Sequence, residues 1–112
     1  MDQIKRSLWE DLERIHAVPE EVTHVVERLD QGLISGPDCN SCLIGTIAHH
    51  RGHHYSDYHT MFDFSRFENW LMGELDDEEY LGGIQTHNTP ANNPNAAQLK
   101  TWLEEWIEEH KS

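Results

Sequence analysis

The chain has 112 residues, 21 acidic and 8 basic, and a formal net charge of −13 at neutral pH. This length suits one domain with one modest hydrophobic core, so we expect a single domain over residues 1–112. The charge argues against direct binding to nucleic acid or to an anionic membrane, because both would repel the chain. It favours a basic protein surface as the partner, including the surface of a protein that itself binds nucleic acid.

The cellular compartment is predicted from the apolar pattern. The first nine residues lack the continuous apolar stretch of a secretory signal peptide, and no apolar run approaches the length of a membrane span. We therefore expect a cytoplasmic protein. In a reducing compartment its two cysteines, Cys39 and Cys42, are expected to be free or bound to metal and not joined as a disulfide.

Three helices are predicted in the first half of the chain from apolar residues spaced three and four apart. The first covers about residues 2–17. The second begins near Pro19 and stops at Gly32, and the third ends near Gly52. We expect the first two helices to pair as a hairpin. Their apolar faces comprise Ile4, Leu8, Leu12, Ile15, Val22, Val25, Val26 and Leu29.

The second half begins with residues 53–64, which hold aromatic residues without a helical period and predict an irregular, ordered connection. Ser65-Arg66-Phe67-Glu68 has the form of a capping box and predicts a fourth helix. The acidic run at 76–79 suits the start of a short fifth helix, and Asn93-Pro94 suits the start of a final one. The pattern predicts an all-α fold, a small bundle of five or six helices.

The chemically most unusual segment holds two cysteines and four histidines within sixteen residues. These side chains bind zinc and other borderline-soft metals. The spacing Cys-x2-Cys-x6-His-x3-His resembles a compact zinc knuckle or a shortened Cys2His2 finger, although the central spacer is short and the basic surface of those families is missing. The resemblance implies a structural zinc ion. Its predicted ligands are Cys39, Cys42, His49 and His53, with His50 and His54 as alternates.

Helix geometry restricts this zinc hypothesis. Seven residues of helix would separate Cys42 from His49 by about 10 Å, whereas zinc ligands lie only about 2 Å from the ion. The chain must therefore turn back near Gly45. In the alternative without metal, Cys42 is a small core residue and the histidines are exposed or bonded locally. Clustered imidazoles would also suit pH sensing. A metal-dependent enzyme is the least favoured hypothesis, since no His-Glu-x-x-His spacing occurs.

Acidic residues of the last helix carry our functional prediction. Glu104 and Glu108, like Glu105 and Glu109, stand four residues apart, where like charges destabilise a helix by about 0.2–0.5 kcal/mol per pair. Local stability therefore does not account for them. In composition the chain resembles nucleic-acid mimics and phage-type inhibitors, which predicts a non-enzymatic protein that docks on a basic partner. A homodimer anchored by an exposed Trp9 is an alternative. The predicted contact residues are Asp76, Asp77, Glu78, Glu79, Glu104, Glu105, Glu108 and Glu109.

Overall fold

The computed structural model describes residues 2–38, 40–58, 65–74 and 82–111. These residues form five α-helices and one short 3-10 helix, with no strand among them, so the predicted all-α class is confirmed. None of these helices is long and apolar enough to cross a membrane. The helices are α1 (Asp2–Arg14), α2 (Pro19–Asp30), α3 (Leu43–His50), α4 (Arg66–Met72) and α5 (Pro94–His110), and the 3-10 helix covers Tyr55–Asp57.

One hydrophobic core joins all five helices. The predicted apolar stripes of α1 and α2 are buried in it, except that Val26 is only half-buried. The packing partners differ from the prediction, because α1 packs against α4, and α2 packs against α5 and α3. The expected close hairpin of α1 and α2 is therefore replaced by contacts with helices from later in the chain.

The first four helices end in the same way. Near the C-terminus of each helix one residue has a positive φ, and the amide of the next residue bonds back to a carbonyl five residues earlier, which is the Schellman arrangement. Gly32, Gly52 and Gly73 hold this position after α2, α3 and α4. His16 holds it after α1 with φ 54°, so α1 ends earlier than the predicted residue 17. A β-carbon makes this conformation costly for any residue other than glycine.

Two predicted helix starts are confirmed. The Asn93 side chain accepts hydrogen bonds from the amides of Asn95 and Ala96 at 2.8 and 3.1 Å, and Pro94 follows in the first turn. Ser65 caps α4 by accepting from the Glu68 amide. The second half of the predicted capping box is used differently, since the buried Glu68 carboxyl takes a hydrogen bond from Tyr55.

The connection predicted over residues 53–64 is more regular than expected where it is described. Tyr55–Asp57 forms the 3-10 helix, because the His54 side chain and the Asp57 carboxylate cap it reciprocally. Tyr55 and Tyr58 pack against the core, as the aromatic content predicted. Residues 59–64 lie outside the described residues.

Gly82 and Gly83 follow the predicted fifth helix, whose start at 76–79 lies outside the described part of the chain. The two glycines run past the end of α4, where the Gly83 amide bonds the Trp70 carbonyl at 2.8 Å. A β-carbon on Gly82 would approach that carbonyl oxygen to 2.1 Å. Close backbone packing therefore explains a glycine at position 82.

Candidate functional site

The outer face of α5 carries the four glutamates that the sequence singled out. Glu104, Glu105, Glu108 and Glu109, hereafter the acidic face, are all exposed. The opposite side of α5 is fixed in the core by its buried residues. These are Ala96, Leu99, Trp102, Leu103 and Trp106.

The acidic face divides into two rows with different neighbours. On the side of α1, Glu105 forms an ion pair with Lys5, and Glu109 accepts a hydrogen bond of 3.2 Å from the Trp9 indole nitrogen. Lys5 also lies 5.2 Å from the centre of the Trp9 ring. A lysine from another helix thus relieves part of the repulsion that the sequence pattern of α5 implied.

Trp9, which the sequence suggested as an exposed anchor for a second copy of the chain, is half-buried against the core. Its polar edge faces Glu109 of the same chain. The homodimer stays a prediction.

The second row, Glu104 and Glu108, lies near Lys100 and Lys111. Lys111 approaches Glu108 at 3.9 Å, where both side chains are largely exposed. Lys100, one turn before Glu104, is bonded to Asp30 of α2 at 3.0 Å. The Asp30 carboxylate, and more weakly Glu104, raise the pKa of Lys100. The carboxylates of this row are therefore open to solvent and to a partner.

Asp76, Asp77, Glu78 and Glu79, the other predicted contact residues, lie outside the described residues.

Cys42, a predicted zinc ligand, is the N-cap of α3. It is buried, and its sulfur accepts a hydrogen bond of 3.3 Å from the Gly45 amide. The helix runs through Gly45 without turning back, so Cys42 and His49 stand at opposite ends of α3, about 10 Å apart along its axis. Cys39 lies outside the described residues.

Two of the clustered histidines lie on the last turn of α3. His49 and His50 are both exposed. The His50 ring stacks on His24 of α2, with ring centres 4.5 Å apart. Partial burial lowers the pKa of His24, and the nearby His50 and Arg28 lower it further. The surroundings of His24 in the His24–His50 stack therefore disfavour its protonation.

His53 and His54 follow α3 and make local hydrogen bonds. The His53 ring nitrogen Nδ1 bonds the Tyr58 hydroxyl, and His54 Nδ1 lies 2.9 Å from the Ser56 hydroxyl. Across the described residues, no group of three or more His, Cys, Asp or Glu side chains is placed to hold a metal ion. The zinc site stays a prediction that this arrangement of side chains does not favour.

Arg51 forms a polar centre that the sequence reasoning missed. Its guanidinium makes two hydrogen bonds to the Glu21 carboxylate and one of 2.8 Å to the Ile15 carbonyl, and it also contacts Tyr58. Arg51 lowers the pKa of Glu21, and Glu21 raises the pKa of Arg51. Glu21 also caps α2 by accepting from the Val18 amide. A carboxylate three residues after a helix start was the available signal, but its partner is thirty residues away.

Asp11 is a second missed feature. It interrupts the apolar stripe of α1, is 1% exposed, and accepts a hydrogen bond of 2.7 Å from the Ser65 hydroxyl of the α4 cap. The pKa of Asp11 is raised to about 7, because burial and the nearby Glu68 outweigh the lowering effects of Ser65 and Arg14. Its position between Leu8 and Leu12 on the buried face was the signal in the sequence.

Asp11 also lines a surface pocket of about 450 Å³ between α1 and the start of α4, together with Arg6, Arg14 and Arg66.

Comparison of the chain with protein-family models, curated proteins and solved structures found no match. Two features of the described residues are candidate sites: the acidic face of α5 and the polar groups between α1 and α4.

Proposed function

We propose that this chain is a small non-enzymatic binding protein whose acidic face docks on a basic surface of a protein partner and inhibits or regulates that partner. The supporting observation is the exposure of Glu104, Glu105, Glu108 and Glu109 on one face of a single helix. Complementary charge across an interface speeds association and selects partners, so a concentrated acidic face favours basic surfaces over others.

Rigidity makes this face suited to recognition. The buried tryptophans Trp102 and Trp106 hold α5 in place, and the Asn93 cap fixes its start. The carboxylates therefore stand on a backbone that needs no further ordering, and binding loses less entropy than it would with a flexible acidic segment.

The local charge density supports a nucleic-acid mimic. Residues 104–109 span about 7.5 Å of helix axis, and four carboxylates lie within that length. Double-stranded DNA carries one charge per about 1.7 Å, which is about four charges over the same distance. A protein groove that normally holds a nucleic-acid backbone would therefore meet a similar density of negative charge.

The two rows of the acidic face are expected to have different roles. Glu105 and Glu109 contact Lys5 and Trp9, so replacing them would also disturb the junction with α1. Glu104 and Glu108 form the other row and are the residues to vary in a test of docking.

The test compares wild type with two doubly neutralised variants in a pull-down with quantitative mass spectrometry. Glu104→Gln with Glu108→Gln removes the open row. Glu20→Gln with Glu27→Gln removes two exposed charges from α2 and gives the same net charge. We expect basic proteins captured by wild type to be lost from the α5 variant and kept by the α2 variant.

Equal loss from both variants would assign the binding to total charge and contradict docking through α5. Capture that neither variant changes would contradict the proposal as well. For any partner captured by wild type, the affinity can also be measured at several salt concentrations. We expect it to fall as ionic strength rises, because exposed charge pairs weaken.

A further inference from the structure

A pocket between α1 and α4 concentrates positive charge in an otherwise acidic molecule. Arg6, Arg14 and Arg66 line it, and they are three of the five arginines in the chain. All three are exposed around a space of about 450 Å³, hereafter the arginine pocket. It lies between α1 and α4, whereas the acidic face lies on α5.

The wall of the arginine pocket adds hydroxyl groups to these cations. Ser7 accepts a hydrogen bond of 3.0 Å from the Phe67 amide, and its hydroxyl hydrogen is not used in that bond. Ser65 caps α4 and donates to Asp11. The hydrogen of Ser65 is thus already used, and the lining offers guanidinium donors together with the Ser7 hydroxyl, which are groups that bind oxyanions in proteins.

We propose that the arginine pocket binds a small free oxyanion, such as a sulfate or phosphate group, through Arg6, Arg14 and Arg66. Guanidinium groups suit this ligand because their planar fork donates two parallel hydrogen bonds to neighbouring oxygens. A small anion is favoured over a membrane or a nucleic acid, because a chain of net charge −13 repels an extended anionic surface.

The charge of the pocket depends on Asp11. The lining holds three arginines against two carboxyl groups, Asp11 and Glu10. Protonation of Asp11 therefore doubles the net positive charge of the lining. Arg14 lies 3.9 Å from Asp11, and Glu68 stands on the α4 side, so both act on the proton that Asp11 carries. The bound anion and this proton should favour each other.

Calorimetric titration with sodium sulfate at constant ionic strength tests the site. We expect saturable binding in wild type that phosphate reproduces and chloride does not. Arg6→Gln and Arg66→Gln should each weaken sulfate at least about tenfold, since each removes charge-assisted hydrogen bonds. Arg28→Gln, an exposed arginine of α2, is the matched control and should bind as wild type. Circular dichroism establishes that each variant is folded.

A heat that rises linearly with sulfate, or equal weakening in all three arginine variants, would overturn the proposal. A pH series gives an independent reading, because sulfate keeps its charge from about pH 5 to about pH 8 while Asp11 titrates between these values. Wild-type affinity should fall several-fold as the pH rises past about 7. Asp11→Asn should remove this dependence, and an unchanged dependence would exclude Asp11 from the site.

These outcomes are separable from those of the acidic face. The double variant of Glu104 and Glu108 should bind sulfate as wild type does, because α5 contributes no residue to the lining of the arginine pocket.

Discussion

Asp11 and Glu21 are both buried carboxyl groups, yet their surroundings shift their pKa values in opposite directions. Glu21 receives two hydrogen bonds from Arg51, and its pKa is lowered. Asp11 receives a hydroxyl hydrogen from Ser65 while its nearest cation, Arg14, stays 3.9 Å away, and burial raises its pKa to about 7. A direct cation therefore decides whether a buried carboxylate stays charged.

The difference separates a structural role from a responsive one. The Glu21–Arg51 pair keeps its charge at any pH near neutrality and joins α2, the end of α1 and the residues after α3. Asp11 changes charge near neutral pH and stands at the wall of the arginine pocket. Acid conditions would break the Glu21–Arg51 pair, whereas they favour the neutral form of Asp11.

The largest expected effect comes from removing the cation of the structural pair. Arg51→Met should lower the free energy of unfolding by about 3 kcal/mol, because it leaves Glu21 buried and charged without its partner. Chemical denaturation at neutral pH measures the change. Arg28→Met, an exposed arginine of α2, is the control and should change it by less than about 0.5 kcal/mol. Similar losses in both variants would show that Arg51 contributes no more than a surface arginine.

The second-largest effect is expected at Asp11, whose carboxyl group titrates near neutral pH. Because the pKa of Asp11 rises from 3.8 to about 7 on folding, its contribution to stability is fully present below pH 3.8 and is lost as the pH rises to about 7. Asp11→Asn cannot ionise, so it should stabilise the fold by about 2 kcal/mol at pH 8 and by little near pH 4.

Denaturation of wild type and Asp11→Asn across this pH range measures the difference between their free energies of unfolding. This difference cancels the contributions of other groups, including those whose stabilising effect changes with pH in the opposite direction. His24 is one such group, because its lowered pKa makes stability fall as the pH drops below its unfolded value of 6.5. Glu21 is another, because its lowered pKa makes stability fall at acid pH below 4.5. A difference between Asp11→Asn and wild type that does not vary with pH would contradict a raised pKa.

A smaller effect is expected where Arg51 meets the end of α1. Its guanidinium bonds the Ile15 carbonyl beside His16, the one residue other than glycine in the four equivalent helix ends. His16→Gly should stabilise the fold by about 1 kcal/mol, since glycine adopts a positive φ without steric cost. Thermal denaturation detects this change.

Gly52→Ala provides the converse control for that prediction. Gly52 has φ 76° and nothing within 4 Å of an added β-carbon, so alanine there meets backbone strain without a steric clash. It should destabilise the fold by about 1 kcal/mol. A gain at position 16 without a loss at position 52 would mean that the helix-end conformation is not the cause.

The fold was predictable from the sequence where a feature depends on neighbouring residues. The apolar stripe of α1, the Asn93 cap and the end of α2 at Gly32 are such features, and all are present. The Arg51 centre was not predictable, because Glu21 and Ile15 reach it from distant segments. The same limit applies to the acidic face. The spacing of its glutamates predicted repulsion within α5, but it could not show that Lys5 of the distant α1 pairs with Glu105.

The exposed row of the acidic face should show the smallest effect, in contrast to both buried carboxyls. Glu104→Gln with Glu108→Gln removes a repulsive pair and two negative charges from the last turns of α5, where the helix dipole disfavours them. The weak contact of Glu108 with Lys111 offsets part of this gain. The free energy of unfolding should therefore rise by about 0.5 kcal/mol or stay unchanged in chemical denaturation. A clear loss of stability would mean that these two glutamates support the fold. A gain combined with loss of a basic partner would mean that they are kept for binding at a cost to the helix.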